Sequence, residues 1–185
     1  GVEIVGVFAP KDDRLGRAAH TWGTPLYTAG TLNAETIPEG VDLIIAAHSH
    51  DFIGEKTLLR SRYGGIGYHP SLLPVHRGRD AVRWAIRMGD RITGGSVYRL
   101  SNKVDGGNII AQEYVFIRPN DTAEELWRRD LAPMGVRMIR ESVDWFAREG
   151  FIPGDPQDEA LATWEPALDA PPIGRPDLDL IPYLG

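Results

Sequence analysis

The sequence predicts an α/β domain built on a mostly parallel sheet. Three observations carry this prediction. Short β-rich runs alternate with helix-patterned stretches over residues 1–150. The run Val41-Asp-Leu-Ile-Ile-Ala-Ala47 is apolar almost throughout and is bounded by Gly40 and His48, the pattern of a strand buried on both faces. His48, His69 and a glycine-rich loop holding Asp105 all follow predicted strands, and open α/β sheets bind ligands at the carboxyl ends of their strands.

The elements follow in order. Gly1 to Phe8 mixes alternation with β-branched residues and reads as a strand that Ala9-Pro10 ends. Arg14 to Trp22 is a short helix, and Thr24 to Tyr27 an extended piece. After the Val41–Ala47 strand, Gly54 to Arg62 is predicted helical and Ile66 to Tyr68 is a short strand. Asp80 to Met88 forms a helix with Trp84 and Ile86 as core contacts. Gly94 to Leu100 and Asn108 to Ile117 are strands joined by Ser101-Asn-Lys-Val-Asp-Gly-Gly107. Asp121-Thr-Ala-Glu124 has the form of an N-cap with its capping glutamate and opens a helix to about Leu131. A second helix runs from Gly135 to Glu149, with Val136, Ile139, Val143 and Phe146 as its apolar stripe. From residue 151 the composition changes. Seven prolines, at 153, 156, 166, 171, 172, 176 and 182, mark 151–185 as an extended tail that packs on the domain or wraps a partner.

The 185 residues suit one ordinary domain, and 42% hydrophobic with 25% charged residues is the composition of a soluble globular protein. No apolar run approaches the roughly 20 residues of a membrane span, and residues 1–20 lack the basic region and apolar core of a signal peptide. There is no cysteine, which excludes disulfides and thiolate metal sites. Together these point to a cytoplasmic protein. A net charge of −6 argues against a nucleic-acid-coating surface. Arg79, Arg83 and Arg87 share one helix face, either a solvated face or an anion-binding rim.

The richest segment is Tyr68-His-Pro-Ser-Leu-Leu-Pro-Val-His-Arg-Gly78. Pro70 and Pro74 fix their own φ and restrict the residues before them, so the chain stiffens around His69. A held imidazole is a candidate acid, base or polariser. His48 and His50 stand two apart, on one face of an extended chain, but no third ligand accompanies them, so they read as polar lining and no metal is expected. No glycine-rich dinucleotide motif is present, which argues against NAD.

This segment, with Trp84 and the run Leu100-Ser-Asn-Lys-Val-Asp-Gly-Gly-Asn-Ile-Ile110, resembles the 10-formyltetrahydrofolate-dependent formyltransferase family. The likeness is nearest to the N-terminal hydrolase domain of 10-formyltetrahydrofolate dehydrogenase, and extends to Asp121-Thr122 and Glu159-Ala-Leu-Ala-Thr-Trp-Glu165. It covers residues 1 to about 166. It implies a Rossmann-like formyltransferase fold over 1–150, 10-formyltetrahydrofolate as formyl donor, and His69 and Asp105 as the catalytic pair. By the same analogy the folate is held by the segment containing Ala47, His48, Ser49, His50, Phe52 and Ile53 and by the loop from Leu100 to Asp105. Ile53, Leu72 and Val104 are expected to wall the pterin, and Gly67, Ser71, His76 and Arg77 to face the acceptor.

Two departures stand out. The family carries an asparagine where this chain has Gly67, so a donor to the formyl oxygen is missing, and the glycine is expected to leave room for water or a bulky acceptor. Losing one such donor costs on the order of a hundredfold or more. Family members also open with one more strand and helix before the segment matching Gly1 to Phe8, so that first unit is expected to be missing. The functional expectation is formyl transfer from 10-formyltetrahydrofolate to an amine or to water. The alternatives are a folate-binding module impaired in catalysis and a nucleotide-sugar N-formyltransferase. The partners implied are the folate and its acceptor, with neither membrane nor nucleic acid, and with the oligomeric state open, a dimer included.

Overall fold

The computed structural model describes residues 2–47, 49, 52–151 and 153–168. Two sheets form. Strands β1 (Val7–Phe8) and β2 (Leu26–Tyr27) pair in parallel, with helix α1 (Arg14–Trp22) between them. The larger sheet has the order β3 (Ile44–Ala47), β4 (Gly65–His69), β5 (Ile92–Arg99), β6 (Ile109–Phe116). β3 and β4 are parallel, whereas β5 is antiparallel to both β4 and β6. Three strands of the four therefore share a direction, and β5 is the reversed one. A tight polar loop is enough to connect β5 to β6 because the pair is antiparallel.

Helix α1 keeps the predicted bounds. Asp13 caps its start by accepting from the Gly16 N–H, and Gly23 closes it in the left-handed conformation. Strand β1 is shorter than the Gly1–Phe8 prediction, with residues 2–6 outside any strand. Helix α2 (Glu55–Leu58) is shorter than the Gly54–Arg62 prediction because the chain turns at Ser61, whose hydroxyl donates to the carbonyls of Leu58 and Gly64. Strand β3 is not buried on both faces. Ile44 is buried but Ile45 is 44% exposed, since β3 is the edge of its sheet and nothing described covers that face. The apolar run had signalled a strand correctly but not its surroundings.

The main core lies where helix α5 (Ala132–Glu149) packs on β4, β5 and β6. Ile66, Val97, Leu126, Leu131 and Met138 are almost fully buried there. Truncating one of the leucines to alanine would cost about 2–5 kcal/mol. The helical stripe is displaced from the predicted one. Met134 and Met138 carry the buried face; Ile139, Val143 and Phe146 flank it, and Val136 is exposed. Helix α4 (Ala123–Leu126) runs into α5 through one wide turn, Trp127–Leu131, so the two predicted helices are continuous. The Leu131 carbonyl, at the end of this turn, accepts from the Tyr68 hydroxyl at 2.7 Å. The cap is Thr122 with Glu125, one residue beyond the predicted pair. Asp121 instead takes the Arg129 guanidinium at 2.6 and 2.7 Å.

Helix α3 (Ala81–Met88) directs Val82 and Ile86 to the core, but not Trp84. The Trp84 indole faces the segment after α5 and donates to the Pro166 carbonyl at 2.8 Å. Residues 153–168 form a strap across the domain. Asp155 exchanges two backbone hydrogen bonds of 2.8 Å with Ile109, and Thr163 bonds through its backbone to Pro74 and Arg77. Of the two fates expected for the proline-rich region, these residues follow packing on the domain; 169–185 lie outside the described residues.

Candidate active site

The carboxyl ends of β3 and β4 open into a cleft of about 540 Å³. His69, Tyr98 and Asp105 line it together with Ala46, Phe52, Ile53, Leu100 and Val104; Arg79, Asp80, Arg83, Lys103 and Glu124 add charge. One wall is thus apolar and another strongly polar, which suits a ligand with a flat apolar ring system and a charged periphery.

His69 is the last residue of β4 and is 7% exposed. Its Nε2 lies 2.7 Å from the backbone carbonyl of His76. A carbonyl only accepts, so Nε2 carries the proton. Nδ1 therefore remains for chemistry, and it lies 3.6 Å from Oδ2 of Asp105. The gap is longer than a hydrogen bond, which leaves Nδ1 able to serve a third group.

Asp105 adopts φ 49, uncommon for a residue with a side chain, and its carboxylate is held at both oxygens. Oδ1 accepts from the Tyr98 hydroxyl at 2.7 Å, and Oδ2 accepts from the Gly78 N–H at 2.8 Å. Gly78 itself has φ 92, which a side chain rarely tolerates, so this glycine permits the approach. Burial, and next the charge and hydrogen bond of Asp105, push the Tyr98 phenol upward from its ordinary pKa, so it remains a donor.

The turn after His69 is fixed from beneath. The Ser96 hydroxyl donates to the Ser71 carbonyl at 2.7 Å and accepts from the Leu73 N–H at 3.1 Å. The Gln112 amide donates to Leu73 and to Ser96. The loop of Asp105 is fixed from the strap. Gln157 Nε2 donates to the carbonyls of Asp105 and Gly107, both at 2.7 Å, while its Oε1 accepts from Arg77. Gly107 is required by space, because a Cβ there would fall 1.8 Å from the Arg99 carbonyl oxygen.

The predicted site residues divide accordingly. His69 and Asp105 come together, and Ser49, Phe52, Ile53, Leu100 and Val104 lie along the cleft. Ala47 is exposed at the end of β3, and it is Ala46 that lines the cleft. His48 and His50 lie outside the described residues. Leu72 packs against Gly94 and does not line the cleft. The four residues expected to face an acceptor have other surroundings. Ser71 is fully buried and donates to the Val75 carbonyl. Arg77 is buried against Gln157 and Glu159. His76 is buried between Asp90, at 2.7 Å from Nε2, and Glu165, at 3.1 Å from Nδ1. Burial opposes the imidazolium, but the hydrogen bonds and charges of Glu165 and Asp90 outweigh it and raise the His76 pKa. Gly67 leaves no vacant space: a Cβ there would meet Leu100 at 3.0 Å and the Tyr98 ring at 3.1 Å. Among the described residues no group of acidic or histidine side chains is arranged to hold a metal ion. Nor is any helix long and apolar enough to cross a membrane.

Sequence reasoning missed Tyr98, Ser96 and Gln157. Only strand register identifies the first two, since they alternate on β5 opposite Gly67 and His69. Gln157 gave no signal, because its role depends on where the strap docks.

Residues 28–140 match the family model described as formyl transferase. The chain is 36% identical over 180 residues to the mitochondrial 10-formyltetrahydrofolate dehydrogenase of Mus musculus, covering 89% of this chain and 19% of that protein. It is 33% identical over 180 residues to the cytosolic 10-formyltetrahydrofolate dehydrogenase of Homo sapiens, covering 89% and 20%. The chain thus spans about a fifth of the length of these relatives. Among solved structures, HypX from Aquifex aeolicus in complex with tetrahydrofolic acid superposes with a TM-score of 0.66 at 23% identity, over 87% of this chain and 29% of that one, a likeness of fold.

Proposed function

The chain belongs to the formyl transferase family, and from that premise we propose that it moves the formyl group of 10-formyltetrahydrofolate to an amine or to water. The observation that carries the reading is the convergence of His69 Nδ1 and Asp105 Oδ2, 3.6 Å apart, at the cleft. The apolar wall of Phe52, Ile53, Leu100 and Val104 fits the pterin ring, and the cationic side chains Arg79 and Lys103 fit the acidic end of a folate.

The nucleophile, an amine nitrogen or a water oxygen, attacks the formyl carbon and places negative charge on the formyl oxygen. A protonated Nδ1 of His69 donates to that oxygen as the charge develops. Asp105 accepts the proton that the nucleophile sheds. The bond from the formyl carbon to the folate N10 then breaks as the carbonyl re-forms; His69 keeps or regains its proton, and N10 takes up the proton that Asp105 received. The products are tetrahydrofolate and either a formylated amine or formate. Backbone contacts fix both partners: the His76 carbonyl orients the imidazole, and Gly78 orients the carboxylate.

The test is an assay of formate release and of amine formylation with 10-formyltetrahydrofolate. Turnover is expected, and His69→Ala should reduce it by about 10²–10⁴-fold. Absence of formate and of any formylated product across a panel of amines would overturn the proposal. Equal rates for wild type and His69→Ala would overturn the mechanism.

A further inference from the structure

Asp105 is the one group of the pair held by a side chain that the mechanism above does not use. Tyr98 is 8% exposed, lines the cleft, and donates to Asp105 Oδ1 at 2.7 Å. It stands on β5 directly opposite Gly67 on β4, so the two positions share one face of the sheet. The ring occupies the volume that a side chain at 67 would need, with Tyr98 carbon atoms 3.1 and 3.3 Å from the site of a Cβ there. The empty position and the large one are complementary.

We propose that Tyr98 is a positioning residue for the Asp105 carboxylate, and that the lack of a side chain at Gly67 is what admits its ring. The proposal rests on the formyl-transfer reading for its consequence in turnover, but not for its geometry. Without the phenol, only the Gly78 N–H would direct Asp105, and the carboxylate could rotate away from His69. With it, Oδ1 is engaged and Oδ2 is aimed at the gap that a nucleophile must enter. The hydrogen bond to an ionised acceptor belongs to the stronger class. The other ionisable groups lining the cleft around Asp105 are Tyr68 and His69 from β4, Arg79, Asp80 and Arg83 before and along α3, Lys103 in its own loop, and Glu124 from α4.

Tyr98→Phe keeps the ring against Gly67 and deletes only the hydroxyl. Two results are expected. In the formate-release or amine-formylation assay kcat falls about 10–100-fold, the loss for one hydrogen bond to a charged group, while KM for the folate moves little. Carbon-detected NMR of the full chain shows the Asp105 carboxyl resonance displaced in the variant, because Oδ1 has lost its donor. Gly67→Ala, which crowds the ring, should reduce kcat in the wild-type background and have little further effect in the Tyr98→Phe background. An unmoved Asp105 carboxyl resonance would overturn the proposal whether or not the chain turns over. A displaced resonance in a protein without turnover would uphold the Tyr98–Asp105 coupling and overturn the formyl-transfer reading instead.

Discussion

Two buried histidines seven residues apart make opposite use of carboxylates. His76 lies between Asp90 at 2.7 Å and Glu165 at 3.1 Å, sealed under the strap. Among the described residues His69 has one carboxylate beside it, at 3.6 Å, and the nitrogen it faces borders a cleft. The first arrangement places a carboxylate beside each imidazole nitrogen and spends the ring on structure. The second constrains one nitrogen through a backbone carbonyl and leaves the other for a reacting group. The two are also joined, since the carbonyl that orients His69 belongs to His76. The histidine proposed to react is thus held by one that is buried between carboxylates.

The sharpest way to break this contrast is to neutralise one carboxylate on each side. Asp105→Asn should lower turnover by about 10²–10⁴-fold with the thermal midpoint nearly unchanged. Parallel activity and melting measurements check it; a variant that melts early but turns over normally would reverse the roles assigned here. Glu165→Ala should do the opposite in kind. It leaves a buried imidazolium short of one partner, at a cost of about 3–5 kcal/mol in denaturant unfolding. Turnover per folded molecule should fall less than in Asp105→Asn.

The strap supplies the next test. Gln157→Ala removes two donors to the Asp105 loop and one acceptor from Arg77, and should cost about 1–3 kcal/mol. Hydrogen exchange should rise in the 101–107 loop more than in β5. Uniform acceleration across the sheet would mean that the strap stabilises the whole domain and not this loop in particular.

How much of this was readable beforehand follows from the range of the forces involved. Local patterning sets helices and turns, so α1 and the rigid segment around His69 were legible residue by residue. The pairing of His69 with Asp105 was legible only through resemblance, because 36 positions separate them. What escaped depends on register and docking. Nothing near Gly67 in the chain says that Tyr98 fills the space beside it, and β4–β5 pairing alone decides this. His76 and Arg77 had the composition of a binding rim, yet strap residues 157–165 bury both. A charged side chain in a motif is equally suited to a ligand or to a distant segment of its own chain, and only the fold chooses.

The smallest effect is a pH dependence confined to the structural histidine. Glu165 and Asp90 raise the His76 pKa in the folded state above its ordinary value near 6.5. The folded protein then binds more protons than the unfolded chain between those two values, so stability falls as pH rises through that window. The contribution is fully present below the unfolded pKa and is lost once the pH passes the folded one. The groups that set it are Asp90 after α3, Glu165 in the strap and the imidazole itself; Thr163 accepts from the His76 backbone N–H and does not titrate. Urea unfolding of wild type from pH 6 upward should show this decline, and Glu165→Gln should flatten it by removing one of the two charges. Equal slopes in the two proteins would mean that His76 is neutral when folded, and the contrast between the two histidines would then rest on distance alone.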